Sequence, residues 1–280
     1  MVKCMLISDL FQKSGLCLLL LVSLGTSFLV AEEVPEDIVF QADYDGSEER
    51  YVLLRPEGVS SLAGRSLLVA LHGHGSDRWQ FIVQSRGECS AVREMAAAYG
   101  LPLISPDYRA STSWMGPAAE ADLQQILREW KERYNPPKII LAGGSMGAAA
   151  ALTFAALNPD LVDGVLAMNG IANHVLYEGF QEAIAASFGG GKEAVPEEYI
   201  RRSAELQVEA LTMPVALTLG ARDEVTPPDS VLRLADALRA RGRSVFVLLR
   251  PGGGHETSHG DGVEALEWLF SAAFLPEKSP

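Results

Sequence analysis

The sequence predicts an α/β protein: one large domain on a doubly wound, mostly parallel sheet. Three observations lead there. Short runs rich in Val, Ile and Leu are apolar at consecutive positions, which suits strands covered on both faces. They alternate with longer segments whose apolar residues recur every three or four positions, and that alternation builds parallel sheets with crossover helices. The chain also has 280 residues, 48% of them hydrophobic, enough for a single core of the size α/β domains commonly reach.

Taken in order, residues 38–43 and 50–55 open the pattern as an antiparallel edge hairpin around Asp45-Gly46, a dipeptide suited to the positive φ of hairpin turns. Strands are then expected at 66–71, 101–105, 138–142, 164–168, 215–219 and 244–249, all apolar on both faces. Helices are expected at 88–99, 117–134, 146–157, 228–241 and 261–274. Pro117 and Pro228 fall in first helical turns, where a missing N–H is harmless. Residues 171–213 have no evident place in the sheet; with Gly189-Gly190-Gly191 inside them they read as a short, flexible cap insertion over the active site. No repeat and no long linker divides 32–280, which is read as one domain.

Residues 1–31 form a separate object. Lys3 and Lys13 precede a charge-free apolar run at 16–30, and the acidic Glu32, Glu33, Glu36 and Asp37 follow. This is the pattern of a secretory signal peptide, with small residues for cleavage at Gly25/Ser27 or Ala31. The expectation is a secreted or periplasmic protein that leaves the membrane on cleavage; an uncleaved N-terminal anchor is the alternative. Cys4 and Cys17 would depart with the signal, and Cys89 alone cannot form an internal disulfide. With 23 Lys plus Arg against 36 Asp plus Glu, the net charge of −13 repels phosphate backbones and anionic lipid surfaces. No nucleic-acid partner is expected, and the oligomeric state is left open.

The chemistry gathers after four of the expected strands. Gly143-Gly144-Ser145-Met146-Gly147 follows strand 138–142 and opens an Ala-rich helix. A serine there sits on a sharp strand-to-helix turn, with glycines two before and two after it where neighbouring backbone comes too close for side chains. Serine is a weak nucleophile without a base and a group to orient that base. Asp223 follows strand 215–219, in Gly220-Ala221-Arg222-Asp223, and His255 follows strand 244–249, after Gly252-Gly253-Gly254. His255 is preferred to His259 because His259 already enters the last helix, and Asp223 is preferred to Glu224 and Asp229 for its place just after the strand. A zinc site of His72, His74, His255 and His259 is the competing arrangement, and it leaves Ser145 and Asp223 without a role. His72 reads as a structural histidine bonded to nearby backbone.

Together, Leu71-His72-Gly73-His74-Gly75, Gly143-Gly144-Ser145-Met146-Gly147, Asp223 with Pro227-Pro228, and Gly254-His255 resemble the α/β-hydrolase superfamily. The likeness spans about 220 residues. It is nearest to the branch of secreted carboxylesterases, feruloyl esterases, polyhydroxyalkanoate-depolymerase-like enzymes, dienelactone hydrolases and the catalytic domain of prolyl oligopeptidases. Three departures stand out: Ala148 replaces a glycine common in relatives, the insertion is short for a lipase lid, and the expected mature chain lacks paired cysteines.

The resemblance implies ester or, less often, amide hydrolysis through an acyl-serine intermediate. Ser145, Asp223 and His255 would form the triad, and the backbone N–H groups of His74 and Met146 the oxyanion hole. No metal or organic cofactor is implied. A catalytically inactive binding module is the reading from another class. A small or medium carboxylic ester is preferred to a peptide for two reasons: fewer residues than the roughly 40–45 of one propeller blade separate the leader from the first core strand, and the insertion roofs the pocket only lightly. Tyr177, Phe180 and Phe188 with Trp79 and Trp114 are the candidates for an apolar pocket wall. Trp79, Trp114 and His174 are the candidate substrate-binding residues.

Overall fold

Side chains alternate between two apolar layers along each central strand, and that alternation organises the fold. A computed structural model describes residues 34–274. The expected signal at 1–31 lies outside the described residues. β1 (Glu36–Gln41) and β2 (Glu48–Leu54) lead to β3 (Leu67–Leu71), β4 (Leu103–Pro106), β5 (Ile139–Gly144), β6 (Gly164–Met168), β7 (Val215–Gly220) and β8 (Val245–Arg250). They form one sheet in the order β1-β2-β4-β3-β5-β6-β7-β8. β1–β2 and β2–β4 pair antiparallel, and every other pair is parallel. The Asp45-Gly46 turn closes with the Ala42 N–H donating to Ser47 O at 2.8 Å, and Gly46 takes φ +75°.

On β3, Leu67, Val69 and Leu71 enter one core layer and Leu68 and Ala70 the other; Ile139 and Leu141 of β5 oppose Ile140 and Ala142 in the same way. The first layer receives α3 (Pro117–Tyr134) through Leu123, Ile126, Leu127 and Trp130, and α7 (Asp229–Arg239) through Val231, Leu234 and Leu238. α4 (Met146–Leu157) is buried almost all round in that layer, which its alanines permit because they let neighbouring backbone approach closely. The opposite layer receives α1 (Gln80–Val83), α2 (Gly87–Ala98) and α8 (His259–Phe274), through Phe81, Val92, Met95, Leu266, Leu269 and Phe270 among others. Helices on both faces of a mostly parallel sheet are the architecture the sequence predicts.

Two expectations need correction. β8 is not covered on both faces: it is the sheet edge, and Leu249 stays 39% exposed. An apolar run does not by itself distinguish a central strand from an edge strand. The insertion is not loose either. It holds α5 (Gln181–Phe188) and α6 (Pro196–Arg201), and sinks Ile184, Phe188, Tyr199 and Leu211 into the core. Gly189 ends α5 in the left-handed region at φ +86°, a helix cap instead of a hinge. Buried Arg202 donates to Met115 O at 2.7 Å and to Glu198 Oε2 at 2.8 Å, pinning the segment to the turn that precedes α3.

Candidate active site

Because β3, β5, β6, β7 and β8 run parallel, the residues that follow them share one edge of the sheet, where ligands bind in open α/β folds. Ser145 ends β5 in the left-handed region at φ +57°, ψ −119°, a strained conformation for a residue with a Cβ. The Ser145 N–H holds this turn by donating to Met168 O at 2.8 Å. A methyl group on Gly143 would lie 2.2 Å from Gly147 O, and one on Gly147 would lie 1.9 Å from Leu71 O, so both positions require glycine. Ala148 is tolerated because its methyl occupies space left by Gly170, whose own Cβ would come within 2.6 Å of it.

The three expected triad residues meet across the turn. Ser145 Oγ lies 2.9 Å from His255 Nε2, and His255 Nδ1 lies 2.8 Å from Asp223 Oδ2. A carboxylate at Nδ1 places the ring proton there, leaving Nε2 to accept from the serine hydroxyl. His259 points elsewhere and pairs with Glu94 at 2.7 Å. Burial works to raise the pKa of Asp223, but the hydrogen bonds from the Thr226 backbone, His255, Asn169 and the Thr226 hydroxyl outweigh it and hold the carboxyl below its ordinary value.

Asn169, Thr226 and Thr257 carry no motif, and reading the sequence missed them. Asn169 ends β6 at φ +52° and donates from Nδ2 to Asp223 Oδ2 at 3.2 Å and to Gly254 O at 3.0 Å. Its Oδ1 accepts the Thr257 hydroxyl at 2.7 Å, so Thr218 must be the donor in its 2.8 Å contact with Thr257. The Thr226 hydroxyl lies 2.8 Å from Asn169 O and 2.9 Å from Asp223 Oδ2. One asparagine thus ties the ends of β6 and β7 to the loop carrying His255. The signal available was an asparagine directly after an expected strand, since Asn tolerates the left-handed region.

The loop after β3 is held from behind. The Gly73 N–H donates to Gln80 Oε1 at 2.8 Å, the Gly75 N–H to Ser111 O at 2.7 Å and the Ser76 N–H to Gly73 O at 3.1 Å. Among the described residues the N–H of His74 between them has no such carbonyl or side-chain acceptor, and the Met146 N–H is the first of α4, without a partner inside the helix. His72 is bonded to nearby backbone as the sequence suggested: Nδ1 lies 2.9 Å from Gly73 O and Nε2 3.2 Å from Asp107 O, the neutral ring donates to one of them, and desolvation lowers its pKa.

The expected substrate-binding residues sit elsewhere. Trp114 is fully buried and supports the site from behind: its Nε1–H donates to His74 Nδ1 at 3.1 Å and its ring packs against Phe180 at 5.5 Å. His174 lies beneath it, and burial drives its pKa down to about 3. Trp79 packs on the α2–α8 core layer, outside the catalytic cavity. The physical reason is common to all three: a large ring in a loop gains more from closing the core than from facing an open pocket. Of the expected aromatic wall only Phe180 lines the cavity of about 430 Å³ that contains Ser145 and His255. Much of the rest is polar: Gln80, Gln84, Arg86 and Glu88 come from the α1–α2 segment, with Glu88 buried and paired to Arg86 at 2.7 Å. A second cavity of about 440 Å³ shares Val225 with the first; Ile171, Leu176, Tyr177 and Pro227 line it together with the charged Glu178, Glu224, Asp229 and Arg233.

The family model for the prolyl oligopeptidase family matches residues 115–278, which include Ser145, Asp223 and His255. The chain belongs to the prolyl oligopeptidase family. The family member has an α/β-hydrolase fold, and solved structures share that fold. An acylaminoacyl peptidase from Pyrococcus horikoshii superposes with a TM-score of 0.67 at 15% identity over 88% of this chain and 42% of its own. A puromycin hydrolase gives a TM-score of 0.67 at 18% identity over 88% of this chain and 40% of its own. The family member described here therefore spans about two fifths of these two proteins. A fluorophosphonate-binding serine hydrolase from Staphylococcus aureus matches over nearly its whole length, 98% of that chain and 85% of this one, with 14% identity and a TM-score of 0.66.

Proposed function

We propose that this serine hydrolase cleaves small or medium carboxylic esters outside the cytoplasm through an acyl-Ser145 intermediate. The observation that carries the reading is the unbroken hydrogen-bond line from Ser145 Oγ through His255 to Asp223, at 2.9 and 2.8 Å, on a turn strained at Ser145. His255 accepts the serine proton as Oγ attacks the carbonyl carbon, and Asp223 stabilises the imidazolium that results. The N–H groups of His74 and Met146 receive the charge developing on the carbonyl oxygen. His255 then gives its proton to the departing alcohol. A water molecule, deprotonated by the same imidazole, attacks the acyl carbon and releases the acid and Ser145.

A cavity of about 430 Å³ with a polar wall, next to one of similar size that mixes apolar and charged side chains, supports an ester with a short acyl chain and a polar or aryl alcohol over a long lipid. Family membership favours a second reading, hydrolysis of a short peptide or aminoacyl amide, which uses the same atoms. Two measurements separate these readings from each other and from an inactive binding module. A fluorophosphonate should label Ser145 and fail to label Ser145→Ala, and absence of labelling in the wild type rejects an active enzyme. The wild type should then hydrolyse aryl acetate or butyrate with a kcat/KM well above that for aryl palmitate or a proline-containing arylamide; the reverse order favours the peptidase.

A further inference from the structure

We propose that Gln80 is the positioning residue of the oxyanion hole, acting through Gly73 on the N–H of His74; the inference rests on the serine-hydrolase reading above. A trans peptide carries its C=O and N–H on opposite edges, so the direction of the His74 N–H is set by what holds Gly73 O. That oxygen accepts from the Ser76 N–H at 3.1 Å and faces His72 Nδ1 at 2.9 Å, which turns the His74 N–H to the other side. The preceding peptide is held at both ends. Its His72 carbonyl accepts from Tyr108 Oη at 2.5 Å, and its Gly73 N–H donates to Gln80 Oε1 at 2.8 Å.

Gln80 is the one side chain among these contacts that bonds a loop N–H and also lines the catalytic cavity. It is 3% exposed on α1, next to buried Phe81 and Ile82. The amide oxygen faces the loop, where the Gly73 N–H holds it. Gly73 needs such a holder. It has no side chain to anchor it, and a Cβ there would sit 3.5 Å from Gly144 O and 3.7 Å from Ser145 Cβ, so this part of the loop borders the nucleophile itself. Without the Gln80 acceptor, the Gly73 N–H must find a new partner, and the nearest polar space is the cavity that the oxyanion is to enter. The two adjacent peptides would then compete for one position.

Removal of the acceptor should weaken binding of the transition state and leave the ground state almost untouched. The test uses the full chain and Gln80→Met, which keeps length and volume and lacks an acceptor for the Gly73 N–H. Aryl-acetate kinetics are compared with inhibition by a trifluoromethyl ketone, which adds to Ser145 and forms an oxyanion, and by the product acid, which does not. The expected result is a fall in kcat of roughly 10- to 100-fold, a part of the effect of deleting an oxyanion donor. KM and the product-acid affinity should stay within about twofold, while ketone affinity falls by the same factor as kcat. A rise in KM with ketone affinity unchanged would make Gln80 a substrate contact and overturn the proposal, as would unaltered kcat. If Gln80→Met does not fold, Gln80→Asn draws the acceptor back by one carbon–carbon bond, about 1.5 Å, and carries the same expectations. Fluorophosphonate labelling of wild-type Ser145 keeps the two ideas apart: labelled wild type with unaffected Gln80 variants rejects only the role of Gln80, whereas unlabelled wild type rejects the enzyme and this inference with it.

Discussion

Gly147 is where the two halves of the oxyanion site touch, so a single methyl group there should separate them. A Cβ at this position would meet Leu71 O at 1.9 Å, Leu71 C at 2.6 Å and His72 O at 2.7 Å, all of them backbone. Ordinary carbon–oxygen contacts lie near 3.3 Å, so the start of α4 and the end of β3 must move apart by about 1.4 Å. Met146 adjoins Gly147 on one side of that contact and His74 follows Leu71 and His72 on the other. The displacement is therefore applied between the two proposed oxyanion donors. Misplacement by about 1 Å is enough to lower turnover roughly 100-fold, and overpacking of this kind destabilises by about 1–3 kcal/mol. Gly147→Ala should thus lose at least that much kcat/KM toward an aryl acetate and melt at a lower temperature. Gly144→Ala is the control, because a Cβ there meets only Glu88 Cγ at 3.7 Å and Phe81 Cζ at 3.9 Å, ordinary contacts. It should fold normally and keep activity within about tenfold, the tolerance expected for a small cavity-lining change. Activity of Gly147→Ala within threefold of wild type, or equal damage from both substitutions, would refute the reasoning.

Three further outcomes are expected. Asp223→Asn should reduce kcat on the order of 10⁴-fold, because the amide favours the wrong imidazole tautomer, whereas His259→Ala should remain near wild type since its ring bonds Glu94; a larger loss at His259 would reassign the base. The folded-state pKa of Asp223 is depressed, so its contribution to stability is present above about pH 4 and lost as the pH falls through the lowered value. Urea titrations from pH 7 to pH 3 should show that loss in the wild type and a flatter dependence in Asp223→Asn. Burial pushes the Cys89 thiol up to about 11, so iodoacetamide at pH 8 should modify it only after denaturation; rapid labelling of the native protein would contradict its burial.

A residue was legible in the sequence where its neighbours along the chain determine its neighbours in space. The strands and helices met that condition, because period and apolar content show which elements lie inside the sheet and which cover it. Ser145 met it too: the glycines two positions to either side mark the places where the backbone of Leu71 and of Gly147 comes too close for a Cβ. Asn169 did not. Its partners Asp223, Gly254 and Thr257 lie 54 to 88 positions away in the sequence, and a lone asparagine after a strand signals a turn as readily as a junction. The aromatic residues failed for a different reason. His174 makes edge-on contacts with Trp114 at 6.2 Å and with Phe188 at 5.2 Å, and these three buried rings support the site without lining its cavity. Composition alone does not tell a ring that supports a pocket from one that lines it.

That division bears on substrate choice. The part of the chain that matches the prolyl oligopeptidase family begins at residue 115 and holds Ser145, Asp223 and His255. The oxyanion loop around His74, and Gln80, Gln84, Arg86 and Glu88 of the cavity wall, all lie before it. Family membership therefore speaks to the bond-breaking machinery, while the oxyanion loop and the α1–α2 part of the cavity wall come from sequence outside the match. The peptide substrates named for structural relatives are the weaker guide for that reason, and the polar wall is the stronger. A buried Glu88 that fixes Arg86 at the cavity, beside two carboxamides, offers hydrogen bonds that a long acyl chain leaves unmet. Unmet polar groups cost free energy on binding, so, on the ester reading proposed above, this wall should favour a polar alcohol or short acyl group over an extended lipid.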